Sequence, residues 1–230
     1  MNIEAIAHIK SDFPTKFGIP RQSGLAGALE AKLIPETGFG MEEAFRGIEG
    51  FSHLWLIWGF SGNEGKGWSP TVRPPRLGGD RRMGVFATRS PFRPNGLGLS
   101  CVRLLEVEKD EHGVVLRIAG ADLMDGTPVY DIKPYIAYTD CREDTRQGFV
   151  GAEGWEALKV EDPEALLALF PEEKRRALLE VLSQDPRPAY QHQPDRVYGF
   201  GFAGFDVRFR VTGNLLTVVE LVKWQNTPGK

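Results

Sequence analysis

Several features that mark common classes of protein are missing from these 230 residues. The two cysteines, Cys101 and Cys141, are too few for a disulfide framework, so we expect a reducing, cytoplasmic setting in which Cys101 is a buried thiol of a strand. The longest apolar run, from His53 to Phe60, is far too short to cross a bilayer. The first residues lack the basic start and the continuous apolar core of a signal peptide, so we expect no secretion signal.

Motifs for metal and dinucleotide chemistry are also lacking. The histidines His8, His53, His112 and His192 are scattered without the spacing of metal ligands, and neither cysteine is near a histidine in the sequence. The string GLGLS at 96–100 does not follow a strand and open a helix, so it does not predict a Rossmann fold. We therefore expect no metal.

The chain has no overall excess of basic residues, with 28 Lys+Arg against 31 Asp+Glu. A local excess is nevertheless clear, because eight basic residues and one carboxylate lie between Lys66 and Arg103. The arginines in this stretch are interleaved with Pro and Gly, which places them on shaped loops. Planar guanidinium groups held in this way suit phosphates, carboxylates and base edges, so the stretch predicts an anionic partner.

Strand signals dominate the first two-thirds of the chain, where apolar or alternating runs are separated by Gly, Pro and Asp. The runs are Ile3–Ile9, His53–Phe60, Met83–Thr88, Leu99–Val107, Val114–Ile118 and Val129–Ile132. They predict a mainly β fold with a closed or strongly curved sheet.

The last third predicts a smaller unit made of a helix and a β-hairpin. Asp162 and Pro163 form a plausible helix start, and Ala177 to Leu182 supply an apolar helix face. The strictly alternating run 205–211 turns at Thr212-Gly213-Asn214 and returns through LLTVVELVKW, which predicts a hairpin. The polar stretch from about Thr139 to Gly154 separates the units, so we predict domains at 1–140 and 150–230.

A second cluster of polar residues lies in ADLMDGTPVYDIKPYIAY, residues 121–138. In a regular strand Asp131, Lys133 and Tyr135 alternate onto one face, which would place an acid, an ammonium group and a phenol together. The alternative is a surface ion pair between Asp131 and Lys133, which contributes little. Asp122 and Asp125 also have an ordinary interpretation, because Asp is favoured in turns.

Six strings, in order along the chain, carry a resemblance to a known family. They are IPRQSGL at 19–25, GIEGFSHLWLIWGF at 47–60, RPPRLGG at 73–79, MGVFATRSPFRPNGLGLS at 83–100, DGTPVYDIKPY at 125–135 and QDPRPAY at 184–190. Together they resemble the TrmO family, also called TsaA-like or YaeB-like proteins. The resemblance implies a tRNA methyltransferase that uses S-adenosylmethionine to methylate N6 of threonylcarbamoyladenosine beside the anticodon. It also implies a single-sheet β-barrel and a homodimer.

The resemblance further implies a cofactor pocket built from several loops. Its residues are Pro20, Arg21, Gln22, Ser61, Gly62, Arg89, Leu99, Ala119, Gly120, Ala121 and Asp122. Arg21 or Arg89 would bind the methionine carboxylate, and Asp122 would accept from the ammonium group or a ribose hydroxyl. Backbone groups at Gly62 and Gly120 would read adenine. The alternatives are an exposed loop at 20–22, an Arg89–Asp122 ion pair, and core packing by Leu99.

For the methyl acceptor, we assign Asp131 as the base or polar orienting group, with Lys133 and Tyr135 holding substrate oxygens. Arg93 and Asn95 are assigned to the threonyl carboxylate and the modified base. The outer arginines are assigned to tRNA phosphates, with a solubilising surface as the alternative; they are Arg73, Arg76, Arg81 and Arg82.

Two other functions remain open from the sequence. One is a non-catalytic RNA- or nucleotide-binding barrel that uses the same arginines, and the other is a methyltransferase of this fold with a different acceptor. Trp68, which lies beside glycines, is the tryptophan we expect to stack on a splayed base, whereas Trp55 and Trp58 are expected in the core. The C-terminal unit is a further candidate for anticodon-stem contact.

Overall fold

Six antiparallel strands form one sheet that closes on itself, in the order β1-β2-β7-β6-β3-β8 with β8 paired to β1. The strands are β1 (Ala7–Lys10), β2 (Glu30–Pro35), β3 (His53–Gly59), β6 (Leu97–Asp110), β7 (Gly113–Ala119) and β8 (Pro128–Pro134). The structure is a computed structural model that describes residues 2–74, 77, 81–111, 113–151, 156–188, 193 and 196–225. The predicted mainly β class is confirmed.

Alternation along the strands determines which side chains fill the interior of this barrel. Leu54, Leu56 and Trp58 of β3 point inward and are buried, whereas Trp55 and Ile57 point outward. Room for the Trp58 indole comes from a glycine on the paired strand, since a Cβ at Gly98 would meet its ring at 2.3 Å. The inner face of β3 and β6 is therefore packed, and their outer face is available for ligands.

A second sheet forms the C-terminal part of the chain, in the order β10-β11-β12-β9. Its strands are β9 (Lys159–Glu161), β10 (Tyr198–Phe202), β11 (Phe205–Thr212) and β12 (Leu215–Lys223), and it is accompanied by helix α3 (Glu172–Ser183). The hairpin predicted around residues 212–214 is confirmed as β11 and β12. The predicted apolar helix face is also confirmed, because Ala177, Leu178, Val181 and Leu182 are all buried.

The loop from Phe13 to Leu29 belongs to the core of this second sheet, although it leaves and re-enters the barrel. Phe13, Ala26 and Leu29 are buried among residues of α3 and the C-terminal strands. Close approach is possible because Gly18 has a positive φ of 90° and no Cβ, which would otherwise lie 2.3 Å from the Phe200 ring. The C-terminal part thus packs against a loop that connects two strands of the barrel.

The short elements differ most from the sequence prediction. The run predicted as a strand at Met83–Thr88 contains only β5 (Met83–Gly84), paired with β4 (Thr71–Val72), and continues as a 3-10 turn at Val85–Ala87. The first predicted strand begins at Ala7 rather than Ile3. Asp162 starts a 3-10 turn at Leu166–Leu169, since its carboxylate accepts from the backbone of Leu166 and Leu167, and α3 begins only after Pro171.

Two further helices are one turn long: α1 (Glu42–Phe45) and α2 (Ala137–Asp140). Within the described residues, no helix combines the length and the apolar composition needed to span a membrane.

Candidate active site

A cleft of about 620 Å³ opens beside the end of β3 and the start of β6. Its walls come from the loop around residues 16–23, the turn at 59–63, the arginine-containing loop at 88–93 and the segment 122–127. Eight of the predicted cofactor residues line it. They are Pro20, Arg21, Gln22, Ser61, Gly62, Arg89, Leu99 and Asp122. Residues far apart in the sequence therefore converge on one cavity, as a small-molecule site requires.

Asp122 is the polar group at the inner wall of the cleft. Its Oδ1 accepts a hydrogen bond of 2.6 Å from Ser100 Oγ, and Ser100 in turn accepts one of 2.9 Å from Trp58 Nε1 inside the barrel. Burial raises the pKa of the Asp122 carboxyl, although the Ser100 hydroxyl and the charge of Arg89 oppose that rise. The Asp122 side chain is therefore a buried, hydrogen-bonded acceptor in the lining of the cleft.

The loop that carries Arg21 and Gln22 contacts both Arg89 and the C-terminal part of the chain. The Gln22 side-chain oxygen accepts from Arg89, and the Gln22 amide donates to the Arg21 carbonyl. Arg21 Nη2 donates to the backbone oxygen of Asp185 at 3.4 Å. Asp185 belongs to the QDPRPAY string and is held by Arg187 at 2.7 Å. The C-terminal part therefore contacts the loop that lines the cleft.

The remaining predicted cofactor residues, Ala119, Gly120 and Ala121, do not line the cleft. Ala119 and Ala121 are buried in the protein interior. Gly120 has a positive φ of 75°, its N–H donates to the Leu29 carbonyl, and its carbonyl accepts from Gly24 N–H, both at 2.8 Å. These two bonds join the strand end to the 24–29 segment, and the reading of adenine by backbone groups of Gly120 stays a prediction.

The proposed catalytic residues lie outside the cleft lining but on the outer face of the same sheet. In the strand register, Asp131 lies opposite Ile57, which lies opposite Leu99, and Lys133 lies opposite Trp55, which lies opposite Cys101. Two strand spacings separate the ends of each row, about 10 Å. Asp131 also borders a second cavity of about 550 Å³ and pairs with Lys133 at 2.9 Å.

Tyr135 packs beside the cleft rather than in it. Its ring lies 5.8 Å from that of Trp55, a lining residue, and 6.2 Å from that of His53. The Trp55 indole is held by a 3.0 Å hydrogen bond to Asp140, which also accepts from the Ile136 backbone at 2.9 Å. Bonds from the Ile136 backbone and from Trp55 lower the pKa of Asp140. Tyr135 therefore lies beside the cleft and packs against its lining residue Trp55.

Of the predicted substrate residues that the structure describes, only Arg93 lines the cleft. One terminal nitrogen of Arg93 donates to the carbonyls of Val85 and Thr88, and its guanidinium lies 5.8 Å from the Phe86 ring centroid. Asn95 is exposed nearby. The Nε–Nη2 edge of Arg93 has no acceptor in the described part of the chain, so it can meet a substrate oxyanion.

Three of the outer arginines lie on the protein surface. Arg73, Arg81 and Arg82 are exposed, and Arg82 donates to the Thr71 hydroxyl at 2.9 Å. Arg76 falls outside the described residues. Neither Arg73 nor Arg81 forms an ion pair with an acidic residue that the structure describes. Their charge is therefore available to a partner.

Exposed aromatic side chains occupy the same surface. Trp68 and Phe86 are 56% and 74% exposed, and Phe92 is 38% exposed. Their segments are tied together, because Ser69 N–H donates to the Phe92 carbonyl and Val85 N–H donates to the Pro70 carbonyl. Large apolar side chains in solvent beside unpaired arginines form a surface suited to unstacked bases.

Sequence reasoning missed several lining residues. Trp55 was expected in the core but is only partly buried and lines the cleft, and Lys16 was not considered. Trp58 is in the core as expected and also contributes to the cleft wall. The alternation of β3 indicates that Trp55 points outward. Trp58 donates to Ser100 on the neighbouring strand, and Ser100 donates to Asp122, but no sequence pattern indicates these two hydrogen bonds. No group of three or more His, Cys, Asp or Glu that could hold a metal occurs among the described residues.

Comparison with known proteins extends this picture to the whole chain. Residues 8–141 match the model of the tRNA-methyltransferase O N-terminal domain, and residues 161–224 match that of the TrmO C-terminal domain. Among solved structures, the crystal structure of TrmO from P. aeruginosa aligns with a TM-score of 0.77 and 34% identity over 97% of each chain.

Similar proteins have names of the same kind. The tRNA (adenine(37)-N6)-methyltransferase of Escherichia coli K12 is 43% identical over 220 residues, which are 91% of this chain and 92% of that protein. A protein of the same name from Eikenella corrodens is 48% identical over 70% of this chain and 91% of its own length. A putative S-adenosylmethionine-dependent methyltransferase of Pseudomonas aeruginosa is 41% identical over 90% of this chain and 91% of its own.

Proposed function

Because the chain belongs to the tRNA-methyltransferase O family, we propose that it transfers a methyl group from S-adenosylmethionine to N6 of the adenosine at position 37 of tRNA. The observation that carries this proposal is the cleft in which a buried, oriented Asp122 is accompanied by the guanidinium groups of Arg21 and Arg89. The cleft continues onto a basic and aromatic surface. A small charged cofactor and an RNA therefore have adjacent sites.

The cleft fits the charges of S-adenosylmethionine. Its volume of about 620 Å³ is in the range of small-molecule sites. Arg21 or Arg89 binds the methionine carboxylate, while Asp122 accepts from the ammonium group or a ribose hydroxyl. The apolar walls from Trp58, Phe60 and Leu99 exclude water from the bound molecule.

The cofactor supplies a methyl group already activated on a sulfonium centre, so the protein's main task is to position the acceptor. The N6 atom must also lose its proton, which a carboxylate can accept. Asp131 lies on the outer face about two strand spacings from Leu99, and a base stacked over Trp55 and Ile57 would lie between them. Lys133 pairs with Asp131 at 2.9 Å and can contact substrate oxygens.

The acceptor we favour is the threonylcarbamoyl derivative of adenosine. Its carboxylate matches the free Nε–Nη2 edge of Arg93, and a site built to bind that group rejects a base that lacks it. We assign Asn95, which is exposed two residues after Arg93, to the modified base. Arg73, Arg81 and Arg82 bind phosphates of the tRNA backbone, and the exposed aromatic residues next to them receive unstacked bases.

The proposal has three parts concerning organisation. The chain consists of a methyltransferase domain at 1–140 and a smaller domain at 150–230 that contacts the anticodon arm. The protein works as a homodimer in the cytoplasm. Light scattering during gel filtration tests the dimer, and protection of the anticodon arm from nuclease by the full-length protein tests the C-terminal contact.

The decisive experiment incubates the protein with methyl-labelled S-adenosylmethionine and tRNA, followed by nucleoside analysis. Threonylcarbamoylated and unmodified tRNA are compared in parallel. Label in methylated threonylcarbamoyladenosine supports the proposal, whereas label in another nucleoside identifies a different acceptor. Failure to bind the cofactor in a calorimetric titration would instead identify a non-catalytic RNA-binding protein.

A further inference from the structure

Two lysine side chains meet on one turn at the rim of the cleft. The turn is the 3-10 segment Ser61–Asn63, which follows β3. Lys16 Nζ donates to the side-chain oxygen of Asn63 at 3.4 Å, and Lys66 Nζ donates to the Gly62 carbonyl at 3.4 Å. Lys16 also lines the cleft. Two ammonium groups from distant parts of the chain are thus held side by side by the same turn.

No acidic side chain balances these two charges. Neither Lys16 nor Lys66 forms an ion pair with an acidic residue in the described part of the chain, and Glu64, on the same loop, forms none. Asp122 is at the inner wall, where it accepts from Ser100. Contact with Lys66, followed by burial, lowers the pKa of the Lys16 ammonium group. The two positive charges therefore oppose each other in the free protein.

The remaining hydrogen-bond donors of the pair are suited to an oxyanion. Each ammonium group has three donors, and each spends one on the turn. An anion placed between the two groups accepts charge-assisted hydrogen bonds and removes their repulsion. Hydrogen bonds to Asn63 and Gly62 already hold both ammonium groups on the turn, so less side-chain freedom is lost when the anion binds.

We propose that Lys16 and Lys66 form an oxyanion subsite that binds a backbone phosphate of the RNA whose base enters the cleft. The identity of the RNA rests on the proposed function. The carboxylate of the cofactor is the other possible source of the same chemistry, but Arg21 and Arg89 already lie beside Asp122 inside the cleft. Lys66 is exposed at the rim and precedes the exposed Trp68 by two residues, on the side where RNA approaches.

The main test compares the wild type with Lys66→Ala, Lys66→Arg and the control Lys109→Ala. Lys109 is an exposed lysine near the far end of β6, away from the cleft. Affinity for an anticodon stem-loop RNA is measured by fluorescence anisotropy at several salt concentrations. The slope of log K against log salt is negative. Loss of one phosphate contact to single-stranded RNA should make it shallower by about 0.7. Lys66→Arg and Lys109→Ala should keep the wild-type slope.

Calorimetry with S-adenosylmethionine on the same variants identifies the anion. A changed salt slope with unchanged cofactor affinity supports the phosphate. Weaker cofactor binding with an unchanged slope overturns the phosphate assignment in favour of the cofactor carboxylate. No change in either measurement for Lys66→Ala, or an equal change for Lys109→Ala, overturns the subsite altogether.

A second measurement does not depend on tRNA methylation. The lysines are reductively methylated with ¹³C-formaldehyde, which keeps their charge, and the protein is titrated with inorganic phosphate while the methyl signals are followed by NMR. The Lys16 and Lys66 signals should shift together, and the Lys16 shift should shrink in Lys66→Ala. If wild-type signals do not move, the subsite is wrong even if the protein methylates tRNA; if they move while methylation fails, only the proposed function is wrong.

Discussion

Replacing Asp122 with Asn should weaken cofactor binding without weakening the fold. The substitution keeps the shape of the side chain and its ability to accept the 2.6 Å hydrogen bond from Ser100, but it removes the charge. A hydrogen bond to a charged group contributes about 1.5–3 kcal/mol. Its loss corresponds to an increase of about 10- to 150-fold in the cofactor Kd, which isothermal titration calorimetry resolves easily.

The stability of Asp122→Asn relative to the wild type should increase as pH rises. Burial raises the pKa of Asp122 above the ordinary value of 3.8, so the folded protein binds this proton more tightly than the unfolded chain does. Ionisation of Asp122 therefore costs stability, and the cost develops as pH rises from about that ordinary value through the raised one. Asn carries no such cost, so Asp122→Asn should gain stability relative to the wild type between acidic and neutral pH.

Urea unfolding of the ligand-free proteins at several pH values measures this difference. Asp125→Asn is the matched control, because Asp125 is three residues away, lies outside the cleft lining and pairs with Lys10 at 3.1 Å. The reasoning is refuted if Asp122→Asn binds the cofactor within twofold of the wild type. It is also refuted if the stability difference between variant and wild type does not rise with pH.

Three further predictions concern the loop, the acceptor side and the surface. Gly18→Ala places a Cβ 2.3 Å from the Phe200 ring on a backbone of positive φ, so urea unfolding should show a loss of about 1–3 kcal/mol together with a higher cofactor Kd; an unchanged Kd would separate the loop from the site. Asp131→Asn should reduce single-turnover methylation while calorimetry shows normal cofactor binding, and normal turnover would exclude Asp131 as base. Arg81→Ala should lower the salt dependence of tRNA binding by the amount that corresponds to about one phosphate contact, and it should leave the cofactor Kd unchanged. If Arg81 only makes the surface soluble, the salt dependence should stay as in the wild type.

The sequence predicted those parts of the fold that have a local signature. The hairpin of β11 and β12 was visible because strict alternation surrounds Gly213, and the strands β3, β6 and β7 were visible as apolar runs. The strand β10 was missed because its sequence, YGFGF, alternates aromatic residues with glycine, which is usually depleted in strands. Met83–Thr88 was mistaken for a strand because its composition is apolar, whereas its backbone turns after two residues to place Arg89 at the cleft.

For the site, family resemblance brought eight residues of one cleft together before any geometry was known. The features that remained hidden depend on contacts between distant segments. No local pattern indicates that Trp58 and Ser100 orient Asp122 from inside the barrel, or that Lys16 and Lys66 share a turn. Such contacts follow from strand register and loop packing, which a single sequence does not encode in any short window.

The packing of the loop at 13–29 against the C-terminal core has a consequence for the order in which the protein is made. The core beneath that loop includes Leu216 and Val218 of β12, which are synthesised after all the strands of the barrel. The barrel strands are complete by Pro134, yet the contact of Arg21 with Asp185 forms only after the later part of the chain has been made. A nascent chain can therefore close its barrel before the second sheet that packs against the loop at 13–29 has been made.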